Sequence, residues 1–265
     1  MADTVHYTID DLGIATVTLN RPDRLNSMTG ELLDDALDLL SDVADNSNVR
    51  VLILTGSGRG FCAGGDLTLG PGGAVTGDAT GEEASRRLRQ YMETSQLLHT
   101  MPAVTIAAIN GACAGAGLSW ACATDLRYAS STARFNVAFR NAALSGDFGG
   151  TWTLPRIIGA GRAREKYLLS EPFDAAEAAR IGLVTDVLPP DELIPHVRKV
   201  AVALATASPH SLQLIKKNLT DSEYTTFAAQ LDIEAKRHSH CAETADAKEA
   251  AQAFTEKRAP NFTGS

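Results

Sequence analysis

Ile109-Asn110-Gly111-Ala112-Cys113-Ala114-Gly115-Ala116-Gly117-Leu118-Ser119 closes the apolar run that starts at Val104, and it reads as a buried strand breaking into a turn of small residues. A stretch upstream has the same form: Val51-Leu52-Ile53-Leu54 leads through a glycine-rich connection to Phe61-Cys62-Ala63-Gly64-Gly65-Asp66-Leu67. Small side chains let a ligand approach the main chain, and two fixed N–H groups aimed at one point hold an oxygen on which negative charge develops. The plainer alternative is that these glycines only permit tight turns and close packing. Either stretch alone leaves both readings open.

Working outward, Val5 to Ile9 and Ile14 to Leu19 read as paired strands around Asp10-Asp11-Leu12-Gly13. Glu31 to Val43 spaces Leu32, Leu33, Ala36, Leu37, Leu40 and Val43 as an amphipathic helix, and Val49 to Thr55 returns as a strand. Strand, helix, strand is a crossover that makes parallel neighbours, so the fold class is α/β. Gly56-Ser57-Gly58-Arg59-Gly60 satisfies neither the dinucleotide nor the phosphate-loop pattern. Thr68 to Gly81 is expected as a loop, Glu82 to Thr100 as a helix, and Gly115 to Ala123 as a helix whose amino end offers free N–H groups. Strands are expected at Leu126 to Ala129 and Ala133 to Val137, then a turn from Asp147 into a short helix ending near Pro155.

Beyond this the character changes to helix, with Val184 to Leu188 a lone strand candidate and Ser208-Pro209 a helix start, the serine as cap. The boundary falls between about residues 190 and 208, placed at 1–200 for the core and 201–265 for the helical region. That tail is too extended to bury its apolar faces unaided, so it is expected to pack on a neighbour or another subunit.

Composition narrows the function classes. Hydrophobic residues at 44% and charged residues at 21% suit a folded domain, and a net charge of -8 disfavours nucleic acid and anionic membrane surfaces. Arg86-Arg87 with Arg89, and Lys216-Lys217, read as solvated helix faces. Cys62, Cys113, Cys122 and Cys241 show no CxxC pairing and read as free thiols in a reducing compartment. His238-Ser239-His240-Cys241 places its histidines on different helix faces, so no metal is expected. With no membrane-spanning run and no leader pattern at Met1 to His6, a cytoplasmic location is the expectation.

Six segments together resemble the crotonase, or enoyl-CoA hydratase/isomerase, superfamily: Asn20 to Asn26, Phe61 to Leu67, Asn110 to Asp125, Gly149-Gly150-Thr151, Gly182-Leu183-Val184 and Ala253 to Arg258. The resemblance implies a crotonase-like spiral of strand-strand-helix units with a C-terminal helical trimerisation region, assembled as a homotrimer or a dimer of trimers. It implies an acyl-CoA thioester substrate, coenzyme A being part of that substrate and no separate cofactor being needed. The thioester oxygen would be held by the N–H groups of Gly65 and Ala116. Arg24, Leu25, Ala63, Asp66 and Leu67 would line the CoA channel, and Phe254 and Lys257 would reach the nucleotide or pantetheine of a nearby site. As alternatives, Leu25 is core, Asp66 a cap and Lys257 a solvated charge.

One departure bears on the reaction. Typical hydratases of the family carry two glutamates, and the aligned places here hold Ser119 and Phe139. Hydration needs an activated water and a proton delivered to carbon, which neither replacement supplies. Asp147 matches the place where several superfamily isomerases put a catalytic aspartate, and Leu144 to Trp152 is similar to isomerases of the phenylacetate-degradation type. One carboxylate suffices for a 1,3-proton shift, and Phe148 and Trp152 would raise its pKa. The competing role for Asp147 is to cap the helix beginning near Phe148. The implied activity is a double-bond shift in an unsaturated acyl-CoA. The alternatives are hydration with a non-standard acid set, dehalogenation or thioester hydrolysis, and a CoA- or RNA-binding homologue without catalysis.

Overall fold

The computed structural model describes residues 4–70 and 72–265. The chain opens with an antiparallel hairpin, β1 (Val5–Ile9) and β2 (Ile14–Leu19), turned where Asp10 Oδ1 accepts from the amides of Leu12 and Ile14 at 2.8 and 3.0 Å. Helix α1 (Gly30–Asp45) starts under a Thr29 cap and buries Leu32, Leu33, Ala36, Leu40 and Val43 along one stripe. A repeating unit follows. Strand β3 (Val51–Gly56) turns a corner into the short β4 (Gly60–Cys62), and helices α2 (Gly73–Thr76), α3 (Gly81–Tyr91) and α4 (Glu93–Thr100) complete the first unit. Strands β5 (Val104–Ile109) and β6 (Ala112–Ala114) lead into α5 (Ala116–Ala123), and β7 (Leu126–Ser130) and β8 (Arg134–Asn136) lead into α6 (Gly150–Ile158) and α7 (Ala160–Leu169).

The long strands form one sheet in the order β1-β2-β3-β5-β7-β10, with β10 at Asp186–Leu188, while the short ones form a second sheet β4-β6-β8-β9, with β9 at Phe173–Asp174. This is the expected spiral of strand-strand-helix units. Asn110 joins two of its corners: its Nδ2 donates to Gly56 O at 2.8 Å and Gly58 O at 3.0 Å. All six residues of β3 are buried because the sheet is covered on both faces. Leu52 and Leu54 face the core packed by α1, α4 and α5, whereas Val51 and Ile53 meet Leu193, Val197, Ala201 and Ala205 of α9 (Leu193–Ala205), reached after the short helix α8 (Ala175–Arg180). Full burial of each such side chain contributes ~1.5–3 kcal/mol.

The tail is built otherwise. Helices α10 (Pro209–Ser222), α11 (Phe227–Glu243) and α12 (Ala245–Glu256) bury few residues and leave Leu219, Tyr224, Phe227, Leu231 and Phe254 exposed. Its anchor is Lys216, which is buried rather than solvated: Nζ donates to Ala103 O at 2.8 Å and pairs with Asp125 at 2.8 Å. Ser208 stands at the N-cap of α10, but its hydroxyl bonds Asp246 in place of its own helix.

Three further boundaries differ from the sequence expectation. Glu82 to Thr100 is two helices, because the Thr94 hydroxyl takes the Tyr91 carbonyl at 2.7 Å and accepts from Trp120 Nε1 at 2.9 Å, pinning the junction to the core. The Thr68 to Gly81 loop contains α2, preceded by a 3-10 turn at Leu67–Leu69. Helix α6 runs through Pro155 to Ile158. No helix among the described residues is long and apolar enough to cross a membrane.

Candidate active site

The first turn is held by its neighbours on both sides of Gly65. Met28 N–H donates to Gly64 O at 2.8 Å, Asp66 N–H donates to Met28 O at 3.0 Å, and Ala63 N–H donates to Leu25 O at 3.0 Å. In such a parallel bridge the flanking amides are used, and the N–H of Gly65 itself enters none of these bonds. The second turn is the start of α5. Gly115, at φ 51, donates its N–H to Asn136 O at 3.0 Å, and Ala116 is the first helical residue, whose N–H has no intrahelical acceptor. The two turns touch main chain to main chain: a Cβ placed on Gly64 would lie 2.9 Å from Ala114 O and 3.4 Å from Ala116 N.

Around the first turn, the Asn20 to Asn26 segment folds back on itself. Leu25 takes a left-handed conformation at φ 50 and is half-buried, and Asn26 Nδ2 donates to Ser57 O at 3.0 Å and Gly60 O at 2.7 Å. Arg24 and Leu67 are exposed, and Ala63 is half-buried. Asp66 caps the Leu67–Leu69 turn, accepting from Thr68 N at 3.2 Å and Thr68 Oγ1 at 2.7 Å, while Arg21 reaches its other oxygen at 3.1 Å. The Thr68 hydroxyl first, and Arg21 after it, bring its pKa down to about 2 against the opposing effect of burial. Its side chain is thus committed within the chain, as are its N–H, which donates to Met28 O, and its carbonyl, which accepts from Leu69 N at 3.2 Å.

Asp147 is not a helix cap. The N-cap of α6 is Gly149 with no side-chain bond, and Asp147 contributes only its carbonyl, which accepts from Gly150 N at 3.1 Å. The loop is set by Phe148, fully buried, edge-on to Trp120 at 6.0 Å and held at φ 48, followed by Gly149 at φ 76. Two successive left-handed residues turn the Asp147 side chain inward, where its Oδ1 is buried with no hydrogen-bond partner among the described residues. Burial pushes its pKa up to about 7. Its charge is felt by Cys62, one residue before the first turn, and by Tyr167 of α7. Burial is the main cause at Cys62, whose thiol is pushed up to about 12.

Two cavities are lined by parts of the Asp147 loop, one through Ser145 and the other through Phe148 and Gly149, while Asp147, Gly65 and Ala116 line neither. One of about 720 Å³ is lined by Phe139, Leu144, Ser145, Thr151, Tyr167 and Leu168, and one of about 380 Å³ by Met92, Ser95, Phe148, Gly149, Trp152 and Tyr224. Ser119 and Phe139 are both buried at the second turn, and Phe139 stacks on Tyr167 with rings 6.2 Å apart. Tyr167 is the site residue that sequence reasoning missed; a phenol on a helix otherwise rich in charge was its one local signal. Phe254 and Lys257 stand apart on α12 and at its C-cap, both exposed, on a helix that packs against α11. Among the described residues no group of three or more His, Cys, Asp or Glu is gathered as a metal site, and His240 packs edge-on to His210 at 4.9 Å.

Comparison with known proteins gives the family and the fold. The profile of the family described as enoyl-CoA hydratase/isomerase matches residues 10–265. The chain is 37% identical to the 1,2-epoxyphenylacetyl-CoA isomerase of Escherichia coli K12 over 95% of each chain, and 33% identical to the crotonyl-CoA hydratase of Syntrophomonas wolfei over 94% of each. The crystal structure of an enoyl-CoA hydratase from Bacillus anthracis superposes with a TM-score of 0.92 at 30% identity, covering 99% of this chain and 100% of that one.

Proposed function

The chain belongs to the enoyl-CoA hydratase/isomerase family of the crotonase superfamily, and from that premise we propose that it shifts a carbon–carbon double bond in an unsaturated acyl-CoA. One observation carries the choice: Asp147 presents a buried carboxylate oxygen with no hydrogen-bond partner among the described residues, while the two places that hold glutamates in typical hydratases hold Ser119 and Phe139. In this reading Asp147 removes a proton from C2 of a 3-enoyl thioester and returns it to C4. Between the two transfers the electron pair spreads onto the thioester oxygen. The N–H groups of Gly65 and Ala116 hold that oxygen, each donor being worth ~2.7–4 kcal/mol in the transition state. A pKa near 7 suits a group that accepts and then gives a proton.

Coenzyme A enters as part of the substrate, along Arg24, Leu25, Ala63, Asp66 and Leu67, and the reaction as drawn uses no other cofactor. The exposed apolar residues of 201–265 support a homotrimer or a dimer of trimers, in which Phe254 and Lys257 reach the CoA of a neighbouring subunit's site. The test is incubation with a 3-enoyl-CoA while following the absorbance of the conjugated 2-enoyl thioester. Turnover that disappears in Asp147→Asn is expected. A 3-hydroxyacyl product from 2-enoyl-CoA, with no bond shift, would establish hydration, the activity named for the relative from Syntrophomonas wolfei. Binding of acyl-CoA without turnover of either substrate would leave a binding protein.

A further inference from the structure

The peptide joining Gly115 to Ala116 has two polar ends, and the mechanism above uses only the N–H. The other end, Gly115 O, accepts from Ser119 N at 3.1 Å and from Ser119 Oγ at 3.4 Å. Ser119 is 2% exposed, so no bulk water competes for its hydroxyl. Tyr167 brings a second hydroxyl to the same spot. A Cβ placed on Gly150 would lie 2.3 Å from Ser119 Oγ and 2.5 Å from Tyr167 Oη, so both oxygens converge under the first residue of α6. The Tyr167 ring is fixed there by a parallel stack on Phe139, whose Cζ lies 4.0 Å from a Cβ placed on Gly115. Burial pushes the Tyr167 phenol up, with the charges of Cys122 and then Asp147 adding to the rise and the neighbouring Ser119 hydroxyl acting the other way; the net rise leaves the phenol protonated at working pH and able to donate.

We propose that Ser119 and Tyr167 are positioning residues that brace the Ala116 N–H from behind. Tyr167 O–H donates to Ser119 Oγ, and Ser119 O–H donates to Gly115 O, the carbonyl of the very peptide whose N–H faces the thioester oxygen. Hydrogen bonds in such a chain polarise one another. As negative charge builds on the thioester oxygen, the peptide carbonyl becomes a stronger acceptor and the brace tightens, so it favours the transition state over the bound substrate. An ionised carboxylate at position 119 has no proton to give to Gly115 O; a hydroxyl has. The brace presupposes Ala116 as an oxyanion donor and is indifferent to whether bond shift or hydration follows.

The experiment is infrared difference spectroscopy of the full-length protein with butyryl-CoA, ¹³C-labelled at the thioester carbonyl, which cannot isomerise. In the wild type, binding lowers the carbonyl stretching frequency. Tyr167→Phe keeps the ring and its stack, and it is expected to show a smaller lowering. With an unsaturated substrate it should lose about two- to tenfold in kcat with KM little changed, the worth of one hydrogen bond. Ser119→Ala should do the same, and the double variant should lose no more than Ser119→Ala alone because both act through one chain. A full-size carbonyl shift in folded Tyr167→Phe and Ser119→Ala, or losses that simply add, would overturn the brace. If the wild type itself shows no shift, the oxyanion reading fails and takes the brace with it, a result separate from any failure to isomerise.

Discussion

The two turns and the Asp147 loop sit beside each other and are held by opposite means. At the turns the two donors are main chain: bonds through Met28, Leu25 and Asn136 flank Gly65 and Ala116, and the charged Asp66–Arg21 pair beside the first turn supports it without being a donor to the thioester. At Asp147 the chemistry is one side chain, and its carboxylate is confined by burial and by the conformation of Phe148 and Gly149, with one oxygen unsatisfied among the described residues. A dipole of the first kind is preorganised and indifferent to pH. A carboxylate of the second kind is costly to bury, and that cost is what moves its proton affinity into the range where it can exchange a proton.

The sharpest way to break the contrast is to push the turns apart. A Cβ on Gly117 would stand 2.2 Å from Cys62 O, which is strand main chain and has nowhere to go. Gly117→Ala is expected to lose more than about a hundredfold in turnover through displacement of the donor and ~1–3 kcal/mol of stability through overpacking. Thermal unfolding alongside steady-state kinetics checks both. Turnover that survives would mean the amides need no such fixed spacing.

Asp147→Asn tests the other half. Turnover should fall by about 10²–10⁴-fold, the usual worth of a general acid–base group, while acyl-CoA affinity, read by calorimetry, holds. Wild-type turnover should rise with pH and level off above about 7, as the base form of Asp147 accumulates. The stability prediction has a definite sign. The native carboxyl keeps its proton up to about 7, against an ordinary value of 3.8, so between those values the folded state binds more protons and stability falls as pH rises. Above that window the wild type carries a buried charge that the asparagine variant lacks. The variant should therefore melt higher at pH 8, and the difference should shrink as pH drops through the window. A difference independent of pH would show that Asp147 is solvated in the folded protein.

The same contrast explains what the sequence disclosed. The turns were legible because strand-then-small-residue runs are local patterns, and the spiral followed from motif resemblance. Asp147 stayed ambiguous between cap and shuttle, since nothing local announces that Phe148 adopts φ 48 and that α6 therefore starts two residues later than expected. For Asp66 the cap reading proved right for the side chain. Tyr167 gave only a weak local signal: its partner Ser119 is far away in the chain, and only tertiary packing under Gly150 brings the hydroxyls together. Lys216 was misplaced for a similar reason, its pairing with Asp125 being long-range.

The smallest expected effect lies farthest from both turns. Lys257 is exposed and holds the C-cap of α12 at φ 54, so within one subunit it is an ordinary solvated charge. Phe254 on the same helix is 86% exposed, and the proposed neighbouring subunit would cover this end of the helix. If Lys257 meets a CoA phosphate across that contact, Lys257→Gln removes one screened charge pair worth ~0.2–1 kcal/mol. KM for the acyl-CoA should then rise by no more than about fivefold, with kcat unchanged, and the difference should fade with added salt as the charges are screened. Gln is one atom shorter but keeps a polar chain end and the same backbone constraint, so a KM change that ignores salt would point to the fit of the cap and not to charge. The turns, built of main chain, should show no such salt response in kcat, which makes this small effect a direct check on which parts of the site act through charge.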